Sequence, residues 1–482
     1  MAKKRRRRAL PKPARIFVLI TALFWGLTGP GALSSASAQN RISLLRDAET
    51  EWFLRWIGTP LFEAAGLQPN AVNIYLINDP TMNAFVSGGQ NIFFHAGLIM
   101  ELDDVNQMLG VYAHETGHIS GAHLARSSDG AAAPTAIALG SMILGVAAIL
   151  AGASDAGLGL MMGGQTMAQR SFLVYTRSQE NQADQAGAGF LEATGTSGRG
   201  MLETFERFRD QELLSTRRRD PYATTHPLSG QRVQRLTDRV QRSPYFDTPP
   251  REDYQYWYAR IRAKLKGYLQ EPWRTFSDYP ESDQSDIARY ARIYAYQKDL
   301  KFDRALEEAN GLIRDYPEDP FFQEIAGQVL LESSRVEQSL DYYRKANALS
   351  VRNPILMTQL AHALVALETP EYDKEAAKIL EQIVVMDRVN DFAWRQLSVI
   401  YARTGQEEKA DLATAEMFQL QGQVMRANYY ATRAVDKLPE GSPGWLRAQD
   451  ILIQTQFALE EYKRQNRRRR PFDQTYLDAA RH

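Results

Sequence analysis

The chain has no cysteine in 482 residues. No disulfide can form, no thiol is present to carry a lipoprotein anchor, and the fold must be held by burial. It also lacks a net charge, with 57 basic against 57 acidic side chains. That balance conceals an uneven distribution. Residues 1–38 hold eight basic residues and no acidic one, and the rest carries 49 basic against 57 acidic, a net of −8. An acidic body is a poor match for nucleic acid, so no nucleic-acid partner is expected. The N-terminal apolar run, residues 16–27, is about twelve residues long, short of the roughly twenty needed to span a bilayer.

What is present at the N-terminus is a three-part pattern. A basic stretch precedes the apolar run, and small residues follow, ending in Ala36-Ser37-Ala38. This is the plan of a secretory signal peptide, with cleavage expected after residue 38 and a periplasmic mature chain.

Beyond it, residues 42–66 space their apolar positions as an amphipathic helix. Residues 72–76 and 84–94 group β-formers around Gly88-Gly89, the signal of strands joined by a tight turn. Helical spacing is expected over 105–126, 170–194 and 201–214, with a loop at 221–230. Pro249-Pro250 marks a boundary. The second half is almost free of strand patterns and repeats itself: Ala305, Ser339, Ala376 and Ala410 are 34, 37 and 34 residues apart. Pro320, Pro354 and Asp391 recur fifteen residues after the first three. Thirty-four is the tetratricopeptide period, and helix pairs of that kind bury their apolar faces only by stacking. The expected architecture is a signal peptide (1–38), an α+β zincin-like metallopeptidase domain (39–250) and an all-α tetratricopeptide-repeat solenoid (251–482).

His114-Glu115-Thr116-Gly117-His118 reads H-E-x-x-H. On a helix, side chains four apart share a face, so both imidazoles can reach one ion with Glu115 beside it. Catalytic zinc takes nitrogen ligands, keeps a position for water and lowers the pKa of that water, while a neighbouring carboxylate takes its proton. Met108, Leu109, Val111, Tyr112 and Ala113 are apolar, so this helix is expected to be buried, where two histidines and a glutamate need a partner. One zinc per chain is the expected cofactor.

The metzincin spacing would put a third ligand at position 124, which is leucine, so that class is excluded. His123 falls opposite His114 on the helix and reads as a packing or hydrogen-bonding residue. The next acidic candidate on a helix is Glu180, with Asp184 one turn on. The pair suits a carboxylate ligand plus an acceptor that fixes an imidazole tautomer, and it equally suits a solvated helix face. Between the motifs, residues 130–154 are uncharged and long enough to span a membrane. Ligands at 118 and 180 must nevertheless meet on one side. Because the return segment, 156–168, is short and rich in glycine, a hairpin over 130–168 in peripheral contact with membrane, partner or the domain itself is expected.

H-E-x-x-H with a distant E-x-x-x-D, Asn83-Ala84-Phe85 upstream and Thr225-His226-Pro227 downstream resembles the gluzincin peptidases of the prenyl-protein and heat-shock type. The resemblance covers nearly the whole mature chain, including Leu44-Leu45-Arg46-Asp47-Ala48-Glu49. It implies His114, His118 and Glu180 as zinc ligands, Glu115 as general base and Asp184 behind the ligands. It further implies His226 on a loop over the metal, either closing the fourth position at rest or stabilising an oxyanion. Asn83, Ala84, Phe85 and Val86 would form an edge strand that pairs with substrate backbone. The function implied is endoproteolysis of misfolded or misassembled envelope proteins in outer-membrane quality control. The repeats would recruit substrate or the outer-membrane barrel assembly machinery. The alternative is a chaperone or scaffold whose repeats carry the function.

Overall fold

A computed structural model describes residues 43–122, 177–214, 222, 226 and 229–469. The expected leader, His123 and the apolar segment 130–168 lie outside the described residues.

Four strands form one mixed sheet: β1 (Leu44–Leu45), β2 (Asn73–Ile77), β3 (Ala84–Ser87) and β4 (Asn91–His95), in the order β1-β2-β4-β3. β3 and β4 are an antiparallel hairpin turned by Gly88 and Gly89, whose φ angles of 61° and 100° suit residues without a Cβ. β2 runs parallel to β4, from Asn73 opposite Asn91 to Ile77 opposite His95. The helix expected over 42–66 starts later than its apolar spacing suggested. Asp47 Oδ2 accepts a hydrogen bond from Thr50 N at 2.9 Å and caps α1 (Ala48–Ala64), which leaves Leu44 and Leu45 extended to pair with β2.

Leu76, Ala84, Val86, Ile92 and Phe94 form the inner face of the sheet, in one core with Phe53, Ile57 and Leu61 of α1. α2 (Ala96–Glu101) follows the sheet and leads to α3 (Val105–Ser120), which is buried from Val105 to Ile119. α3 ends short of the expected residue 126, at Gly121 and a left-handed Ala122 with φ of 49°. α4 (Arg177–Ala193) and α5 (Arg199–Leu214) pack against it, and α6 (Gly230–Val240) packs on those two. On the outer face, Phe93 is stacked between Tyr75 and Phe85, with ring centroids 5.0 Å apart on each side.

α7 (Glu252–Leu269) begins two residues after Pro249-Pro250, yet it serves both halves of the chain. Tyr254, Tyr258, Ile261 and Leu265 enter the core of the sheet half, and the Tyr258 hydroxyl donates to the carbonyls of Ile99 and Leu102. From the same helix, Arg260 and Lys264 join α1 to the repeats. Arg260 Nε lies 2.6 Å from Glu49 Oε1 and its Nη1 2.5 Å from Asp319 Oδ2, while Lys264 Nζ reaches both Asp47 and Glu49. Arg260, Lys264 and Glu49 are buried, so each needs its partner.

After α8 (Pro272–Asp278) come four helix pairs: α9 (Asp286–Lys298) with α10 (Phe302–Asp315), α11 (Pro320–Glu332) with α12 (Val336–Leu349), α13 (Pro354–Ala366) with α14 (Pro370–Met386), and α15 (Asp391–Arg403) with α16 (Glu407–Leu420). The first helices of successive pairs start 34, 34 and 37 residues apart. α14 takes up the extra residues, being 17 long where the other second helices have 14. Ala305, Ser339 and Ala376 are fully buried, and Asp319, Asn353 and Asn390 cap the helices that follow them. α17 (Val424–Lys437) and α18 (Pro443–Arg469) complete the stack. The fold is α+β in the first half and an all-α tetratricopeptide-type solenoid in the second. No helix among the described residues is long and apolar enough to cross a membrane.

Candidate metal centre

α3 and α4 meet almost backbone to backbone. A Cβ added at Gly117 would stand 2.6 Å from the Ala183 carbonyl oxygen, and one at Gly187 would stand 2.9 Å from the Ala113 carbonyl carbon. Glycine at these two positions lets the helices approach closely enough for Glu180 and Asp184 to face His114 and His118. His114 Nε2 is 3.1 Å from His118 Nε2 and 3.5 Å from Glu180 Oε2, and His118 Nε2 is 3.4 Å from Glu180 Oε1. His226 comes from the bend before α6. Its Nδ1 lies 3.2 Å from His114 Nε2 and 3.1 Å from Glu180 Oε1.

One donor atom from each of these four buried residues lies within 4.8 Å of the others. Four donors around an ion with bonds of about 2.0–2.2 Å stand roughly 3.3–3.6 Å apart on a tetrahedron. Five contacts among them, two to Glu180 Oε1 and one to Oε2, lie at 3.1–3.5 Å, near that spacing. Three imidazoles and a carboxylate are also the donor chemistry that zinc takes.

Behind the donors, Asp184 Oδ1 is 2.9 Å from His114 Nδ1. The carboxylate stands against Nδ1, the side of the ring turned away from the cluster, while Nε2 faces the other donors. Arg232, on α6, spans both carboxylates: its Nε and Nη2 lie 2.5 and 2.8 Å from the oxygens of Asp184, and its Nη1 2.5 Å from Glu180 Oε2. Sequence reasoning missed Arg232. The available signal was a charge on an apolar stripe, since Arg232, Leu236 and Val240 share the buried face of α6. Tyr222 was missed as well. Its ring stacks on His226 at 4.6 Å and on Phe208 at 4.0 Å, and its carbonyl accepts the His226 backbone N–H at 2.7 Å, so it fixes the plane of that imidazole.

Burial and charge set the protonation of the centre. Burial raises Glu180, but His226 and Arg232 outweigh it and hold the carboxylate well below its usual range. Burial lowers His118 well below the usual imidazole value, which keeps it neutral. For His226 burial is outweighed by Glu180 and Glu115, and its pKa rises. Glu115 is fully buried and raised by that burial, although His226 and His114 oppose the shift. His226 Nε2 is 3.4 Å from Glu115 Oε1, and neither oxygen of Glu115 accepts a hydrogen bond among the described residues.

β3 packs against α3 and is an edge strand of the sheet among the described residues. Ala84 and Val86 point into the core, Phe85 lies on the outer face, and the Asn83 carbonyl accepts from His95 N at 3.0 Å. Thr225 and Pro227 lie outside the described residues.

Residues 49–240 match the model of Peptidase family M48. The matched segment resembles an M48 peptidase domain. It includes every residue of the cluster, and the chain is a metalloprotease. A beta-barrel assembly-enhancing protease of Escherichia coli (strain K12) is 24% identical over 431 residues, covering 87% of this chain and 86% of the relative. A protein of the same name from Yersinia pestis is 23% identical over 392 residues, covering 80% and 79%. The metalloprotease LoiP of Escherichia coli (strain K12) aligns with part of the chain only, 27% identical over 173 residues, 36% of this chain and 64% of the relative. The likeness to the first two runs through the repeats as well as the segment that matches the M48 model.

Proposed function

We propose that the chain is a zinc-dependent endopeptidase, exported to the periplasm, that degrades misfolded or misassembled envelope proteins. The observation that carries the reading is the buried cluster of His114, His118, Glu180 and His226 with the Glu115 carboxylate on its flank. In this reading His114, His118 and Glu180 hold one zinc ion, which when bound polarises a water and the scissile carbonyl. Glu115 takes the proton of the attacking water and delivers it to the leaving amine. Its burial favours that cycle, since a raised carboxyl gives and takes a proton more readily near neutral pH. Asp184 keeps His114 in the tautomer that offers Nε2, and Arg232 neutralises both carboxylates so that Glu180 stays ionised.

His226 supplies a fourth donor in the position that a catalytic site keeps for water. Its role is to close the site at rest, and it must leave before substrate enters. Asn83, Ala84, Phe85 and Val86 present the edge at which an extended substrate pairs by strand addition. The repeats recruit substrate or the outer-membrane barrel assembly machinery, a role supported by the names of the relatives that share both halves. The rival reading, a scaffold with minor proteolysis, has against it an intact set of donors and base. Glu115→Gln decides between them. The variant should retain one zinc per chain and lose peptide hydrolysis by orders of magnitude, whereas wild-type turnover in that variant would remove the assigned role.

A further inference from the structure

A concavity with none of the metal donors in its lining lies where α1 and α7 meet the repeats. It encloses about 710 Å³ where α1 and α7 face the turns before α11 and α13. Its floor is aromatic. Trp52 meets Trp257 edge-on at 4.7 Å and stacks on Trp56 at 5.3 Å, and Phe321 lies 6.2 Å from Trp52. Trp52 and Tyr316 are 38% and 44% exposed and Val351 97%, an apolar area that a polar surface does not require. The rim is acidic, with Asp315, Glu318 and Asp319, and no lining side chain is basic. Asp319 is taken up by Arg260 and by the cap of α11, and Asp315 shares Arg289 while staying 57% exposed. Glu318 is exposed and has no ion pair among the described residues. Behind Tyr316 stands Asp286, whose charge raises the pKa of the Tyr316 phenol, as a negative field does.

We propose that this seam binds an extended segment of the protein substrate in which an arginine or lysine stands between apolar residues. The cation lies over the Trp52 or Tyr316 ring, within the field of Glu318 and Asp315, and the flanking apolar side chains cover Phe321 and Val351. α1 supplies Trp52, α7 supplies Trp257 and the repeats supply the acids, so the site exists only where the first half, α7 and the repeats meet. Its use in delivering substrate rests on the proteolytic reading, whereas the binding itself does not.

The test uses the full-length Glu115→Gln protein, which spares the probe from cleavage. The probe is a dye-labelled unstructured peptide alternating arginine and leucine, compared with its glutamate-leucine counterpart by fluorescence anisotropy. The basic peptide should bind, more weakly as salt rises, and Trp52→Ala or Glu318→Lys should each weaken it by about tenfold or more. Both variants should keep their metal content. Because Glu318 is exposed, its variant keeps the fold even where Trp52→Ala lowers the melting point. Equal binding of the two peptides, or binding unaltered by Glu318→Lys, overturns the proposal. So does a self-association that Trp52→Ala abolishes without any peptide binding. Wild-type protein that binds the basic peptide but cleaves none of it would instead refute the proteolytic reading and leave the binding result standing.

Discussion

Replacing Arg232 by methionine tests how the centre is held together before any metal enters. The guanidinium is 4% exposed and contacts two carboxylates whose side chains are almost fully buried. Methionine keeps much of the apolar volume and the contact with Phe205, over whose ring Arg232 lies at 5.0 Å, but it removes the charge. Asp184 is then left with His114 alone, and Glu180 with the imidazoles. Stranding a buried charge in this way costs about 3–5 kcal/mol, against a typical total stability of about 5–15 kcal/mol. The pH dependence has a definite sign. Asp184 and Glu180 are both held below their ordinary values, so what they contribute is fully present above the unfolded pKa values of about 4. It is lost as pH falls through the folded ones. Chelator-treated protein, unfolded in urea and followed by circular dichroism, should show the full difference between wild type and Arg232→Met at pH 7. The difference should shrink in acid. Adding zinc back should recover part of it, because a cation among the donors again faces Glu180. A difference below about 0.5 kcal/mol at pH 7, or one that stays constant into acid, would refute the account.

Three further outcomes are expected. His226→Ala should raise proteolysis and make self-cleavage visible in a gel assay, since the fourth donor is removed. A fall in turnover of roughly ten- to a thousandfold would instead assign His226 to the oxyanion. Glu324, buried beside Lys264 and accepting a hydrogen bond from Gln359, is pushed up to about 7 by burial. Its contribution to stability is thus present below the unfolded value and lost as pH rises through 7, and Glu324→Gln should be more stable than wild type at pH 8 by up to about 3 kcal/mol and equal to it near pH 4; a constant gap across that range would count against this. A chain ending at Pro250 should fail to fold, because it loses Tyr254, Tyr258, Ile261 and Leu265 from the core, roughly 6–12 kcal/mol of burial. A cooperative melt of that fragment would show that α7 is dispensable.

The chemistry was legible where residues are neighbours along the chain. H-E-x-x-H on an apolar helix names its own face, because four residues bring the imidazoles round to the same side. The 34-residue period likewise announced the solenoid, because three successive pairs repeat a small, fully buried residue followed by an Asp or Asn cap. The strand signals around Gly88-Gly89 held for a related reason, since a turn with positive φ needs what glycine permits. Where local signals competed, the shorter-range one won, and Asp47 started α1 at residue 48 despite the apolar spacing that extended back to 42.

Tertiary structure alone decided the rest. His226 stands 112 residues from His114 and 46 from Glu180, and no periodicity links such positions. What joins them is the close approach of α3 and α4 at Gly117 and Gly187 and the stacking of His226 on Tyr222. Arg232 was hidden for the same reason: a charge on an amphipathic helix reads as solvated until the fold supplies two buried carboxylates to receive it. Pro249-Pro250 suggested a boundary in the sequence, but composition could not reveal that the helix after it packs on both halves. Local sequence sets which groups can ligate, cap or repeat, and only packing determines which of them are desolvated together, the condition that makes a charge costly alone and useful in company.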